Sequence, residues 1–465
     1  MCPTCLTAPH SRRSMLRTLA SGFGYVAFAD LAQRAATADA TSPLAPKPPH
    51  FAARAKRVIF LCMNGAPSHV DLLDPKPVLT AADGKPSPRT SGGFTKLMGS
   101  PWKFSQHGQS GTAFSELLPE MAKHADELCV VRSMQTDLPA HGPASIQLHT
   151  GSAQFIRPSL GAWTLYGLGS ESENLPGFIN LSATSNNGGA QKYGSAFLPA
   201  MYQGTPIGTL GPFGRVVGEL KVNNVANSKL SRGQQRAQLD LVQALNRERL
   251  ARDVVNPQVE GLIESFELGF RMQSEVPSLL DLSSESEATK KLYGIGSGAT
   301  DFMGRQCLLA RRFAEAGVRF IEVNHGDWDD HREISAELPK HCREVDQPVA
   351  ALLTDLRQRD MLRDTLVIWG GEFGRTPHGQ GSGRDHNNKG FSLWMAGGGI
   401  RGGMTYGATD DLGYEAIENP VHIHDWHATI LALLGLDHEK LTYRHAGRDF
   451  RLTDVKGRVV REIMS

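Results

Sequence analysis

Metal-binding residue types crowd one short stretch of this chain. Phe320 to His331 reads Phe-Ile-Glu-Val-Asn-His-Gly-Asp-Trp-Asp-Asp-His, a mostly apolar run from Val318 to Val323 that breaks into a loop of carboxylates and imidazoles. Asp327 and His331 stand four residues apart, Asp329 and His331 two apart, and the spacing does not choose between the aspartates. Two further segments bring the same chemistry. Leu366–Gly371 runs into Glu372-Phe373-Gly374-Arg375-Thr376-Pro377, and a nearby loop carries Gly383-Arg384-Asp385-His386-Asn387. A divalent ion needs anionic oxygens or neutral imidazoles converging from rigid supports. Asp327, Asp329, His331, Glu372, Asp385 and His386 are therefore candidate ligands of one site built from three loops. The plainer alternative is a polar loop network, with Asp330 solvated and Asp385 capping a turn.

Such loops need strands to hold them. Arg57–Met63 is a continuous apolar run of the kind found in buried parallel strands, and it ends in Asn64-Gly65-Ala66-Pro67-Ser68-His69-Val70-Asp71. Residues 80–112 are polar and rich in Gly and Pro, a long surface loop. Helical spacing over Phe114–His124 precedes a strand at Leu128–Val131, and the run from Thr136 to Pro143 leads into a helix ending at His149-Thr150-Gly151. A helix near Leu160–Leu168 and a strand near Phe178–Leu181 follow. Leu230–Leu250 and Gln258–Met272 read as charged amphipathic helices, a helical insertion around 230–275 packed on one side. Helix Phe302–Ala316 feeds the metal-rich strand. Helix Leu338–Arg359, strand Thr365–Gly371 and strand Phe391–Ala396 complete the pattern. Alternating strands and helices imply an α/β, three-layer sandwich with a mainly parallel, doubly wound sheet. In such sheets ligands gather where strands end at their carboxyl edge.

Bulk properties narrow the function classes. The 465 residues are 40% hydrophobic with 49 Gly and 26 Pro, enough core for a large loop-rich domain. A net charge of +1 gives no basic field for nucleic acid. No stretch of about 18 apolar residues in the body suggests a membrane span. Cys62 and Cys129 sit in apolar runs, where a free thiol behaves as a small core hydrophobe. Near the start, Ser11-Arg12-Arg13-Ser14-Met15-Leu16-Arg17, a modestly apolar stretch and Ala35-Ala36-Thr37-Ala38 have the layout of a twin-arginine export signal over residues 1–40. Residues 41–55 read as an extended linker and 56–465 as the domain, delivered to the periplasm or outside the cell. The Cys2-Pro-Thr-Cys5 pair belongs to that leader.

Other side chains are weaker candidates. Ser68, His141 and Asp71 could form a nucleophilic triad, but no Gly-x-Ser-x-Gly elbow supports one. Arg375 suits either an oxyanion clamp or a salt bridge to Glu372. His422, His424 and His427 fit a helix N-terminus capped by Asp425 better than a metal site.

The order of elements resembles the alkaline phosphatase-like superfamily, which includes sulfatases and cofactor-independent phosphoglycerate mutases. That resemblance implies a paired metal site at the carboxyl edge of the sheet. Asp327 and His331 match its Asp-x-x-x-His element and His386 its later His, whereas Asn64 replaces the first-strand Asp and Glu372-Phe373 an Asp-His pair. The sulfatase signature Cys-x-Pro-Ser-Arg-x-x-Leu-Leu-Thr-Gly aligns with His141-Gly142-Pro143-Ala144-Ser145-Ile146-Gln147-Leu148-His149-Thr150-Gly151. His141 falls on the nucleophile position and Ser145 on the Arg, which excludes formylglycine chemistry.

Five spaced motifs more closely resemble the domain-of-unknown-function 1501 family. They are Asn64-Gly65-x-Pro67-Ser68, Trp328-Asp329-x-His331, Gly371-Glu372-Phe373-Gly374-Arg375-Thr376-Pro377, Gly383-Arg384-Asp385-His386 and Gly447-Arg448-Asp449-Phe450-Arg451-Leu452. This resemblance favours Asp329 over Asp327. It implies an exported, sulfatase-like protein of a family without an established activity, and the leading expectation is a metal-dependent hydrolase acting on a small-molecule or glycan ester of phosphate or sulfate. Asp329 (or Asp327), His331 and His386 would hold a divalent ion (zinc, calcium or manganese), Glu372 and Asn64 would form a weaker second position, and His141 would move a proton. The competing expectations are a degenerate relative that binds a sulfated or phosphorylated glycan without cleaving it, and a scaffold with one structural ion.

Overall fold

The computed structural model describes residues 42–88, 95–211, 216–217, 220–222, 229–252 and 257–465. The expected export signal, with Cys2 and Cys5, lies outside the described residues. A 10-stranded sheet forms the centre. In chain order its main strands are β1 (Arg57–Met63), β2 (Leu128–Gln135), β3 (Phe178–Thr184), β4 (Thr205–Leu210), β5 (Phe320–His325), β6 (Thr365–Gly370), β7 (Phe391–Ala396) and β8 (Met404–Tyr406). Their spatial order is β8-β2-β7-β6-β1-β5-β3-β4. β1 runs parallel to both β5 and β6, and β3 runs parallel to β5 and β4. Only β7 is reversed among these eight, pairing antiparallel with β2 and β6. The β1, β3, β5, β6 and β7 residues are almost all buried, as expected of strands covered on both faces.

Seven helices matter for the site and its support: α1 (His141–Thr150), α2 (Leu160–Leu168), α3 (Arg232–Arg252), α4 (Pro257–Leu280), α5 (Asp301–Glu315), α6 (Ile334–Gln358) and α7 (Ile423–Leu433). The charged amphipathic helices expected in this region are α3 and α4; α4 packs on α5, and its Met272 and Val276 are buried in the core.

Three local expectations change. Phe114–His124 is not a helix: Thr112–Ser115 forms a hairpin strand with Phe104–His107, and only Met121–His124 turns, as 3₁₀. Its apolar residues face the core from a strand and a turn, which helical spacing alone does not exclude. The 383–387 segment is not a loop, because Gly383–Asn387 pairs antiparallel with Gly374–Gln380 as a hairpin. The described part of the expected linker is packed against the domain. Lys47 N donates to Leu168 O, Arg54 and Ala55 N to Leu433 O, and Leu44 is buried.

Register explains how distant segments meet. Met63 pairs with His325 and Cys62 with Gly370, so β1, β5 and β6 end side by side. Their continuations, Asn64–Ser68, Gly326–His331 and Gly371–Phe373, leave the sheet at one place.

Candidate metal centre

Four side chains converge above those strand ends: His141, Asp329, His331 and His386 each offer an atom within 4.8 Å of the others. Asp329 Oδ1 lies 3.1 Å from His141 Nε2, 3.0 Å from His331 Nε2 and 3.2 Å from His386 Nε2. His331 Nε2 and His386 Nε2 are 2.9 Å apart. His141 opens α1, Asp329 and His331 follow β5, and His386 sits on the hairpin after β6.

The outer nitrogens fix the tautomers. His141 Nδ1 is 2.6 Å from Glu372 Oε1, and His386 Nδ1 is 2.8 Å from the Pro139 carbonyl oxygen. A carboxylate and a carbonyl only accept, so both Nδ1 atoms carry hydrogen, and each ring in its neutral form aims an Nε2 lone pair inward. Those lone pairs face Asp329 Oδ1 and another imidazole. Acceptors crowded at about 3 Å repel one another unless a proton or cation lies among them. A carboxylate that holds one histidine nitrogen while the other faces a shared point is how metal sites commonly orient their imidazoles. The chemistry of the donor set fits a divalent ion.

The supports are specific. Glu372 is fully buried, accepts from Gly65 N at 3.1 Å and holds His141. Phe373 lies beneath two ligand rings, its centroid 4.8 Å from His141 and 4.7 Å from His386. Gly65, at φ +104°, lets the Trp328–Asp329 backbone approach so closely that a Cβ there would lie 2.8 Å from Asp329 N. Arg375 is buried and donates to the carbonyls of Gly65, Ala66, Trp328 and Arg384, and to Asp329 Oδ1 at 2.7 Å.

Electrostatics follow from these contacts. Burial pushes the Asp329 carboxyl up, but with protons rather than a cation among the donors, hydrogen bonds from His141 and His386 and the Arg375 charge outweigh it and hold it far below the usual range. Burial lowers His141, yet Asp329 and Glu372 raise it to about 9. Burial lowers His331. The cluster is open on one side, with the Asp329 side chain 40% exposed and that of His331 29%.

Several expected roles change places. Asp327 is outside the cluster: it takes a left-handed turn conformation (φ +74°), and its charged neighbours are His341, Lys340, Asp330 and Glu337. The Asp-x-x-x-His match is therefore not the pair brought together; Trp-Asp-x-His is. His141 stands among the ligand atoms rather than beside them. Glu372 stands behind His141, not in the first ring of donors. Asn64 is also withdrawn, since its Nδ2 donates to Asn324 Oδ1 at 2.9 Å and its Oδ1 accepts from Lys192 Nζ at 2.9 Å. Arg375 pairs with Asp329 rather than Glu372, and its guanidinium is consumed by carbonyls. Asp385 accepts from His386 N and shapes the hairpin.

The Ser68–His141–Asp71 triad is not assembled, because Ser68 and a bidentate Arg384 both engage Asp71. At α7 the capping residue is His422, with Asp425 three positions in and accepting from His422 N. Sequence reasoning missed Lys192 and the platform role of Phe373. Glu322 carried a legible signal, a carboxylate between Ile321 and Val323 in a fully buried strand.

A mainly parallel α/β sheet with a histidine–carboxylate cluster at its carboxyl edge defines an architecture built to present a ligand site at strand ends. The chain belongs to the family described as "Protein of unknown function (DUF1501)", whose profile matches residues 55–464. No curated protein matches the sequence. Solved structures with some similarity include the PsFucS1 sulfatase from Pseudoalteromonas sp., at 14% identity and a TM-score of 0.36, covering 83% of this chain and 68% of that one. The lipoteichoic acid synthase LtaP from Listeria monocytogenes matches at 9% identity and a TM-score of 0.34, covering 88% and 78%. Alkaline phosphatase from the Antarctic bacterium TAB5 matches at 8% and 0.31, covering 74% and 92%. Likenesses this distant say nothing about the reaction.

Proposed function

We propose that this chain is an exported metal-dependent hydrolase of phosphate or sulfate esters. The observation that carries the reading is the convergence of three imidazole Nε2 atoms and Asp329 Oδ1 in an open cluster, with Glu372 behind His141. His141, Asp329, His331 and His386 would hold the ion. Three imidazoles and one carboxylate suit zinc or manganese and speak against calcium, which takes oxygen ligands. A divalent ion there supplies Lewis acidity toward an ester oxygen and toward water. The protein's share is orientation. Glu372 fixes the His141 tautomer, Phe373 and Pro139 O fix the His386 ring, and Arg375 keeps Asp329 ionised and aimed. The open side admits an ester of small molecule or glycan type.

One observation favours the second reading, a relative that binds a sulfated or phosphorylated glycan without cleaving it. Asn64 is tied to Lys192 and Glu372 stands behind His141, so a second ion lacks ligands there, and His141 is among the donors rather than free as a nucleophile.

Metal content of the mature protein, compared with His331→Ala and His386→Ala, tests the site. We expect one equivalent of divalent ion to be lost in each variant, and hydrolysis of aryl phosphate or aryl sulfate to be lost with it. Equal metal content in folded variants would sink the hydrolase reading. An ion lost as expected, with neither ester class turned over by wild type, would leave the binding reading in its place. Export is checked by fractionation of cells carrying Arg12→Lys and Arg13→Lys together, which should keep the protein in the cytoplasm.

A further inference from the structure

Below the open cluster lies a second, closed group of donors that the proposed hydrolysis does not use. Cys62 on β1, Glu322 on β5 and His149 on α1 place a sulfur, a carboxylate oxygen and an imidazole nitrogen within 4.8 Å of one another. All three are buried, at 1%, 0% and 4% exposure. Strand geometry accounts for two of them. Phe60 pairs with Glu322, and side chains alternate along a strand, so Cys62 and Glu322 share one face of the sheet. His149 reaches that face from the last turn of α1.

The hydrogen bonding of this group is incomplete. His149 Nδ1 is 2.6 Å from the Ser145 carbonyl oxygen, which only accepts, so Nδ1 carries the hydrogen. Its Nε2 lies 3.2 Å from Glu322 Oε1, yet neither that nitrogen nor either Glu322 oxygen has a hydrogen-bond partner. A fully buried carboxylate with both oxygens unmatched is costly. Burial pushes the Glu322 carboxyl up, but His149, the Lys192 charge and Asn324 outweigh it and keep it ionised, while the Lys192 ammonium also donates to Asn64 Oδ1. An imidazole nitrogen and a carboxylate oxygen therefore lie close together without a well-aligned hydrogen bond, buried beside a thiol.

We propose that Cys62, His149 and Glu322 bind a borderline-soft dication, of which zinc is the natural case. Sulfur, imidazole and carboxylate ligands in tetrahedral zinc sites lie roughly 3.3–3.8 Å apart, given metal–ligand distances of about 2.0–2.3 Å. The observed separations need only small side-chain movements to reach that spacing. On binding, the thiol gives its proton to solvent and the sulfur bonds the ion as thiolate. A buried thiolate and imidazole exclude calcium and magnesium, which take oxygen ligands. Three protein donors leave the fourth tetrahedral position to a non-protein ligand, and the site's role is to tie elements together. It clamps α1 to β1 and β5, and α1 begins with His141, so the closed ion steadies the helix that supplies the open cluster. It stands independently of the hydrolase reading.

Cobalt replaces zinc in such sites and shows a near-ultraviolet sulfur-to-metal charge-transfer band. The probe is full-length protein produced in cobalt-supplemented medium, so that the closed site fills during folding. The band should appear in wild type and persist in the His331→Ala/His386→Ala double variant, which lacks the open site. It should vanish in Cys62→Ser. The double variant grown with zinc should retain about one equivalent of metal. No band in wild type, a band that survives Cys62→Ser, or a metal-free double variant would each overturn the proposal and leave an imidazolium–carboxylate pair. Should Cys62→Ser fail to fold, the wild-type band and the metal content of the double variant still decide. Loss of only the open ion in that variant keeps the two sites' outcomes separate.

Discussion

Asp329 and Asp327 differ by two positions and by everything that matters to an ion. Asp329 Oδ1 is the point on which three imidazoles and Arg375 converge, while Asp327 lies in a left-handed turn with its carboxyl raised by burial. Asp329→Asn should therefore remove the ion from the open site. Asp327→Asn should leave metal content unchanged, as measured by elemental analysis of both purified variants. Glu372 acts one step further out. Replacing it with Gln keeps the shape but weakens the grip on His141 Nδ1, and outer-shell changes of this kind cost about 10–100-fold in metal affinity. A chelator competition titration reads that loss directly. Affinity unchanged in Glu372→Gln would mean that the His141 ring is held by Phe373 and α1 alone.

At the scale of elements, the sheet edge, the hairpin and α7 divide the work. The parallel register of β1, β5 and β6 delivers three loops to one place, and the Gly374–Asn387 hairpin bends back to add His386. Helix α7 carries a different kind of information. Burial and neighbouring His424 depress His427 to about 3, and burial depresses His424 to about 4. Both are held neutral by the fold and gain protons more readily when unfolded. A depressed group contributes stability that is complete above the ordinary value of 6.5 and is lost as pH falls toward the folded value. The fully buried His427 should thus cost roughly 1.4 kcal/mol for each pH unit below about 6.5. His427→Gln, which keeps a donor for the Leu148 carbonyl, should flatten the acid limb of a denaturant-midpoint against pH curve. An unchanged limb would assign acid sensitivity elsewhere.

For the whole molecule, the packing of residues 42–56 makes a prediction about boundaries. Backbone hydrogen bonds tie this segment to Leu168, Leu433, Gly435 and Asp364, and Leu44 and Ala55 are buried. A chain starting at residue 42 should melt where the full-length protein melts, whereas one starting at residue 57 should melt lower. Equal melting of the two truncated chains would show that the segment only decorates the surface. No helix among the described residues is long and apolar enough to cross a membrane.

Much of this was legible in the sequence. Buried strands announce themselves as largely apolar runs, so β1, β5, β6 and β7 were legible from local composition, while their order in the sheet was not. Metal-type residues at strand ends named Asp329, His331 and His386 before any contact was known. What tertiary structure alone decided was direction. Asp327 and Asp329 have the same chemistry and similar spacing to His331, and only the backbone turn at Asp327 sends one of them away. Glu372, Asn64 and His141 were all recognisable as polar groups near the edge. Which would face a shared point, and which would stand behind it, depends on pairing between segments more than two hundred residues apart, such as His141 with Glu372. A sequence records which donors are available. Only the folded chain brings their lone pairs to a common centre.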